Sequence, residues 1–545
     1  MNVCNLFEEN ENITLESYLN KFGIKDIEEY LNPTGKYLDN GISYRNMLEA
    51  VQDFKWHYNL KDPAYILCDN DADGILSTCI MYQYMKLLNP KWNIKILLHD
   101  NKERGLNDDK LYKRLLDEPR PLLIIPDAGS NEVVRTKVIT ETNCTVIVLD
   151  HHNIETPIDT GVLISNQVGE VDKFGSGCVV THKFLQCLDA EFNVKYSSRF
   201  IDMVALSIIS DSMNICSYQN RTYLYFGLFK DNAIKNDFLK ALFDKFIYHD
   251  TFTLRDISFN IVPKINSVCR SGDNELKQKL IMAFIGRADA EEVAELCEKC
   301  HENQIKYVTK FVSDSKNNID DEHNIIIYNS DELKLSYTGL IAGKLSDAYN
   351  RPCIVGRCNN EELVGSLRSP IPLAEEINET GLAKMKGHSM ACGCFLPIEN
   401  IDKLYEYMDS IDINYQPDIP VMQSYYADKI PDNLFDELIG YNIWDIKFLP
   451  EPIIYVKDIK IKGKDISVLG KNKKTIKFIY KNIEFISFKA TKELKEELCI
   501  GKNKMLKINL IGKLNKNVYY NKKTNQVLID KIEVMSYNSD INEIW

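Results

Sequence analysis

The chain has 545 residues, 44% hydrophobic and 27% charged, with a formal net charge of −13. That length supports several domains with separate cores, and the balance is that of an ordinary globular protein. No low-complexity tract is evident, and the net charge argues against a uniformly basic nucleic-acid coat, although local basic grooves remain open to an acidic protein.

Fifteen cysteines stand at no framework spacing, which fits a reducing compartment. The first nine residues lack the basic and apolar regions of a secretion signal. No apolar run reaches the ~20 residues that span a bilayer. The expectation is a cytoplasmic protein without membrane contact.

Residues 1 to about 60 read as polar and helical, broken at Pro33-Thr34-Gly35. Short apolar runs follow at Ala64–Cys68, Ile94–Leu98, Leu122–Ile125, Val146–Leu149 and Val162–Ile164, several of them separated by amphipathic stretches. This alternation predicts a parallel sheet covered on both faces, making residues ~40–230 one doubly wound α/β domain. Helices are expected from Ile75 to Leu88, from Gly177, and over Phe200–Ile209. Residues 274–316 read as one long amphipathic connector. Within it, Cys297-Glu298-Lys299-Cys300-His301 matches the c-type haem attachment pattern. Haem attachment belongs to exported chains, and five residues on a surface helix match by chance, so that reading is rejected. A second α/β unit begins at Asn324. The last hundred residues hold short β-like runs between Gly, Asn and Lys turns, which predict a small all-β barrel.

The chemistry begins at Asp69-Asn70-Asp71-Ala72-Asp73-Gly74, after the first predicted strand. Carboxylates this close raise one another's pKa values unless a cation neutralises them. At the carboxyl end of a strand they suggest a hard divalent metal. A solvated acidic turn is the ordinary alternative for one such turn alone. An EF-hand fits poorly, because Ile80 stands at the twelfth position. Asp127 ends the third run, Asp150-His151-His152 ends the fourth, and Asp211 follows an apolar helix. Each by itself is more often a cap, a turn or a surface residue. Four such clusters able to converge on one crevice point to a metal site.

Those four clusters, in that order, resemble the four motifs of the DHH phosphoesterase superfamily. Further matches select the RecJ-like branch of single-strand-specific exonucleases. Gly175-Ser176-Gly177-Cys178-Val179 is similar to its Ser-Gly-x-Gly-Val helix start. Asn220-Arg221 with Gly227, and Pro263-x-Ile265-Asn266-x3-Arg270, are also similar to its motifs. Gly339-Leu340-Ile341-Ala342-Gly343, Gly365-Ser366-Leu367-Arg368-Ser369 and Gly387-His388 resemble the DHH-associated domain.

The resemblance implies a helical segment at 1–40, a DHH catalytic domain at 41–260 and a helical connector at 261–320. A DHH-associated substrate-binding α/β domain at 321–410 follows, then a linker and OB-like nucleic-acid-binding β-barrel at 411–545. It implies that Asp71, Asp73, Asp127, His151 and Asp211 ligate two Mn²⁺ ions, or Mg²⁺, with Asp127 bridging. Asp69 and Asp150 are further ligands or orienting groups. His152 would contact the scissile phosphate. Asn266, Arg270, Gly365, Ser366, Arg368, Gly387 and His388 would bind substrate, with Gly365 allowing close backbone approach. Lys102 or Arg104 would supply a basic loop before Gly105-Leu106-Asn107. The implied partner is single-stranded DNA bound by a monomer, with a single-strand-binding protein or a helicase as candidate associates.

Between Lys457 and Lys481 nine lysines stand against two aspartates, with Phe478, Tyr480 and Phe485 close by. On a β-barrel, Lys471, Lys473, Lys474, Lys477 and Tyr480 could form a single-strand platform, lysines tracking phosphates beside aromatics that stack bases. A lysine-rich hairpin blunting an edge strand is the plain alternative. Lys386 replaces a glycine of the family's Gly-Gly-His element. The leading expectation is a 5′-to-3′ exonuclease acting in DNA recombination and repair. The alternatives are an oligoribonucleotide or cyclic-dinucleotide phosphodiesterase, or a catalytically silent DNA-binding scaffold.

Overall fold

The apolar runs of the first half become five parallel strands: β1 (Ala64–Cys68), β2 (Ile94–Leu98), β3 (Leu122–Pro126), β4 (Thr145–Asp150) and β5 (Val162–Ser165). They hydrogen-bond in the order β2-β1-β3-β4-β5. The computed structural model describes residues 1–9, 11–38, 41–99, 105–117, 121–248, 252–315, 319, 322–359, 361–411, 418–445, 447–470, 473–488, 490–499, 505–519 and 522–538.

Every residue of β1 and β3 is buried, as expected where helices cover both faces of a parallel sheet. Tyr65, Leu67, Leu123, Ile125, Val146 and Val148 share one core cluster with Leu111, Leu115 and Ile139 from helices on that side. Residues between them, such as Ile66, Ile124 and Ile147, are equally buried and face the other way by the strand's two-residue period. On that side lie α1 (Ala72–Leu88), α2 (Gly177–Phe192) and α3 (Ile201–Ser210). The strand order reverses between β1 and β3. In open α/β sheets the crevice beyond the carboxyl ends at that reversal is where ligands bind.

Helix α1 begins at Ala72, three residues before the expected Ile75. Asp71 is its N-cap, and the Asp71 carboxylate accepts from Gly74 N at 3.1 Å. The acidic turn is thus itself the helix start.

The connector is divided: α4 (Val262–Cys269), α5 (Asn274–Phe284) and α6 (Ala290–Ser315). The expected single helix over 274–316 is interrupted at Gly286, whose φ of +71° leaves the helical region. Cys297 is fully buried within α6, which agrees with rejecting haem attachment.

The second α/β unit contains β6 (Ile326–Asn329), α7 (Leu335–Tyr349), β7 (Cys353–Asn359), β8 (Glu362–Arg368), β9 (Lys384–His388) and β10 (Ala391–Pro397). Its sheet is mixed, ordered β9-β10-β8-β7-β6, with only the β6–β7 pair parallel.

The contacts divide the chain into two units, Asn32–Tyr415 and the pair Met1–Leu31 with Gln416–Trp545. In the latter, the polar N-terminal segment is not wholly helical. Val3–Asn5 is a strand paired in parallel with β11 (Ile419–Val421). The remaining strands are β12 (Gln423–Tyr426), β13 (Ile453–Lys462), β14 (Ser467–Leu469), β15 (Thr475–Tyr480), β16 (Ile483–Ser487), β17 (Met505–Tyr519) and β18 (Lys522–Asn538). They form one ribbon in the order β12-β13-β17-β18-β16-β15-β14. Among the described residues no hydrogen-bonded pair joins β12 to β14, so the expected barrel is not closed by a ladder. No helix among the described residues is long and apolar enough to cross a membrane.

Candidate metal centre and cleft

The strand-end carboxylates converge at the sheet's reversal point. Asp69 follows β1, Asp73 lies in the first turn of α1, Asp127 follows β3, His151 follows β4, and Asp211 caps α3. His151 Nε2 lies 3.2 Å from Asp127 Oδ1, 3.5 Å from Asp211 Oδ2 and 3.9 Å from Asp73 Oδ2. Three triads have donor atoms within 4.8 Å of one another: Asp69-Asp71-Asp127, Asp73-His151-Asp211 and Asp127-His151-His152. Asp127 belongs to two of them.

Local structure makes this crowding possible. Asp127 adopts φ +66°, a left-handed conformation that aspartate tolerates better than most residues. Its N–H donates to Leu149 O at 2.7 Å, which ties the turn to β4. A Cβ at Gly177 would stand 2.3 Å from Asp127 Oδ1, and one at Gly74 would stand 2.5 Å from Asp69 Cβ. Both glycines therefore leave room for carboxylates. The first N–H groups of α2 hold Asp73: Gly177 N donates to Oδ2 at 2.7 Å and Cys178 N to Oδ1 at 3.0 Å. A side chain at 178 does not disturb this, because the donor is backbone.

Electrostatics separate the carboxylates into two kinds. Burial, then Asp73, Asp71, Asp69 and Asp211, push the Asp127 carboxyl well above its ordinary range. Burial and Asp71 push Asp73 up to about 6, against the pull of the Cys178 and Gly177 N–H groups. Asp150 goes the other way. Burial raises it, but the bonds and charges of His152, His151 and Ser130 outweigh burial and hold it well below the usual carboxylate range. Its Oδ2 accepts from Ser130 N (3.0 Å) and Oγ (2.7 Å). Its Oδ1 accepts from His151 N (2.7 Å), His152 N (3.2 Å) and His152 Nδ1 (2.8 Å). Of the two roles open to it, Asp150 therefore has the geometry of the orienting group.

The donor set fits a hard divalent cation. It consists of carboxylate oxygens with imidazole nitrogen, and Asp127 Oδ1 is buried and accepts no hydrogen bond. Nearby Cys68 is an inert strand residue: its Sγ donates to Asp69 O at 3.3 Å, and burial pushes the thiol up to about 12.

A cavity of about 780 Å³ opens on the cluster, lined on one side by Asp71, Asp73 and Asp211. Asn266, Arg270, Ser366 and Arg368 line it from the connector and the second sheet. Arg270 caps α4. The Arg368 guanidinium has room because a Cβ at Gly339 would lie 2.7 Å from its Nη2, and its Nη1 donates to Leu367 O at 2.7 Å. Ser366 Oγ is bonded to Thr338 Oγ1 at 2.9 Å.

Other expected residues lie elsewhere. A Cβ at Gly365 would meet Val355 O at 2.0 Å, so this glycine serves strand-to-strand contact rather than substrate approach. Gly387 and His388 are exposed on the edge strand β9 and do not line the cavity. His388 is in register with Arg368 across β10, two strands and therefore roughly 10 Å away. Lys102, Arg104 and Lys471 lie outside the described residues. Lys473 and Lys474 are exposed, and Tyr480 is half-buried. Lys477 forms an ion pair with buried Glu484, and Phe478 stacks on Phe485 in the core at 5.1 Å. Lys477, Phe478 and Phe485 are therefore structural, leaving a smaller platform than expected.

Three cations of the cavity went unanticipated: Lys277, Lys334 and Arg357. Lys277 is buried and its Nζ donates to Asn70 Oδ1 at 2.7 Å and His99 O at 3.2 Å, tying α5 to the acidic turn. Helical periodicity alone carries no signal for such a role. A neighbouring cavity of about 560 Å³ adjoins His152 and contains Glu132, which accepts from Leu106 N at 2.6 Å and Asn107 Nδ2 at 2.7 Å. Burial pushes Glu132 up to about 7.

The sequence matches the DHH family, N-terminal domain, over residues 63–208 and the RecJ OB domain over residues 447–531. A Bacillus subtilis (strain 168) protein named as the SPbeta prophage-derived single-strand DNA-specific exonuclease YorK is 28% identical over 567 aligned positions, covering 96% of each chain. The single-stranded-DNA-specific exonuclease RecJ of the same strain is 23% identical, covering 90% of this chain and 64% of its own. The crystal structure of RecJ in complex with Mn²⁺ from Thermus thermophilus superposes with a TM-score of 0.77 at 17% identity. That match covers 98% of this chain and 79% of the other, and it is a likeness of fold.

Proposed function

Because the chain is a RecJ-like member of the DHH family, we propose that it is a single-strand-specific exodeoxyribonuclease working from the 5′ end and releasing 5′-mononucleotides. The observation that carries this reading is the cleft itself, which sets a carboxylate–imidazole cluster against Arg270, Lys334, Arg357 and Arg368 in one cavity. A strand passing through it as substrate places phosphates between the two.

Asp71, Asp73, Asp127, His151 and Asp211 would hold two divalent cations, Mn²⁺ or Mg²⁺, with Asp127 shared and Asp69 alongside. Such cations supply charge stabilisation to the phosphate and lower the pKa of water. The chain's own residues do the rest. Asp150 accepts from both histidine N–H groups and from His152 Nδ1, orienting the ring so that contact with the scissile phosphate falls to His152 Nε2. Arg270 and Arg368 grip phosphate oxygens, a task to which the guanidinium fork is suited. Lys473, Lys474 and Tyr480 in the β-rich unit would meet the strand, and binding there weakens with salt. The cellular role of such an activity is recombination and repair.

The test supplies purified protein and Mn²⁺ with 5′-labelled single-stranded DNA, the matching duplex and a dinucleotide. Release of labelled mononucleotide from the single strand alone is expected. Preference for the dinucleotide, or no hydrolysis at all, would overturn the reading.

A further inference from the structure

Three helices that reach the acidic cleft at one end share a second cavity at the other. α1 begins at the cluster and contributes Tyr82 and Lys86 to this cavity; α3 ends at Asp211 and starts beside Phe200. α5 offers Lys277 to the cleft and Phe284 to the second cavity, just ahead of Arg287. At 1.5 Å per residue the two sites are roughly 15 Å apart along α1. A ligand in one does not touch the other.

The second cavity encloses about 700 Å³. Its floor is apolar where half-buried Leu87 and Ile285 line it. Its rim is basic: Arg199, Lys235 and Arg287 are exposed, and Lys86 stands with them. Asp237 is the one carboxylate among the described lining residues. The cations are held by rings and carbonyls. Arg287 lies 5.4 Å over Tyr82 and Arg199 5.6 Å over Tyr196, while Lys86 Nζ donates to Trp92 O at 2.6 Å and Pro90 O at 3.3 Å. Burial, then Arg287, hold the Lys86 ammonium below its ordinary range. Like charges gathered with so little acid repel one another, and a bound anion reverses that cost. The volume far exceeds a bare phosphate, and the floor offers a flat apolar group a place away from water.

We propose that this cavity binds a nucleoside monophosphate, its phosphate on Arg199, Lys235 and Arg287 and its base against Leu87 and Ile285. Calorimetry on the metal-free full chain reads binding without turnover, so a failed nuclease assay leaves the proposal standing. The probes are thymidine 5′-monophosphate and inorganic phosphate, and Arg270→Ala is used as background to weaken phosphate binding in the cleft. The nucleotide should bind one site. Lys235→Glu with Arg287→Glu, both exposed side chains, should weaken it at least tenfold, and the neutral pair Lys235→Gln with Arg287→Gln by an intermediate factor, with melting temperatures unchanged. Unaltered affinity in both pairs would overturn the site. Inorganic phosphate binding as tightly as the nucleotide would overturn the role of the apolar floor.

Discussion

The two walls of the cleft are built on opposite principles. On the sheet side, Asp73 and Asp127 are buried, and burial with neighbouring carboxylates pushes both carboxyls upward; helix-start N–H groups hold Asp73, and glycines make room. On the facing side, Arg270, Lys334, Arg357 and Arg368 are half-buried or exposed, on a helix end, a loop and sheet strands. The first wall gathers donors suited to cations, the second side chains suited to anions. A metal-bound polyanion answers both at once, which is why the cleft as a whole says more than either wall.

Breaking the acidic wall should have the largest effect. Asp127→Ala is expected to cut Mn²⁺-dependent hydrolysis of single-stranded DNA by about 10³-fold or more. Strand binding measured by fluorescence anisotropy should remain nearly unchanged. Retained turnover would refute the shared-ligand role. Breaking the basic wall should cost less: Arg368→Ala should raise KM roughly tenfold through one lost charge-assisted contact, with Mn²⁺ affinity intact. A fall in Mn²⁺ affinity instead would mean that the walls are not separable.

Contacts that belong to neither wall should matter less still. Lys473→Glu with Lys474→Glu should reduce the slope of log affinity against log salt by about 1.4, about 0.7 per phosphate contact on a single strand. An unchanged slope would return these lysines to a solvated turn. The smallest effect concerns Glu132. Its carboxyl is raised from 4.5 to about 7 by burial, so its contribution to stability is present below the unfolded value and lost as pH rises through the folded one. The melting temperature of the metal-free protein relative to Glu132→Gln should therefore fall by a few degrees between pH 5 and pH 8. A constant difference across that range would show that Glu132 does not titrate there.

Much of this was legible in the residue order. Runs such as Leu122–Pro126 are apolar throughout because both faces of a parallel strand are covered, and the aspartates stand where such strands end. Strand existence and type in the second α/β unit and the β-rich region followed from local composition in the same way. Helix boundaries did not. Asp71 could be read as a ligand or as a cap, and its bond to Gly74 N shows that it starts α1.

The chain order alone determined which residue types stand at the strand ends, because periodicity and turn chemistry are local. Tertiary structure decided what each does there, because that depends on neighbours far away in sequence. Asp150 is bonded to Ser130, 20 residues before it, and Gly365 makes its close strand contact with Val355. Lys477 was claimed by Glu484, Phe478 by Phe485, and Lys277 by Asn70 from 207 residues away. A side chain's charge is written in the sequence, but the partner that uses it is chosen only when the chain closes on itself.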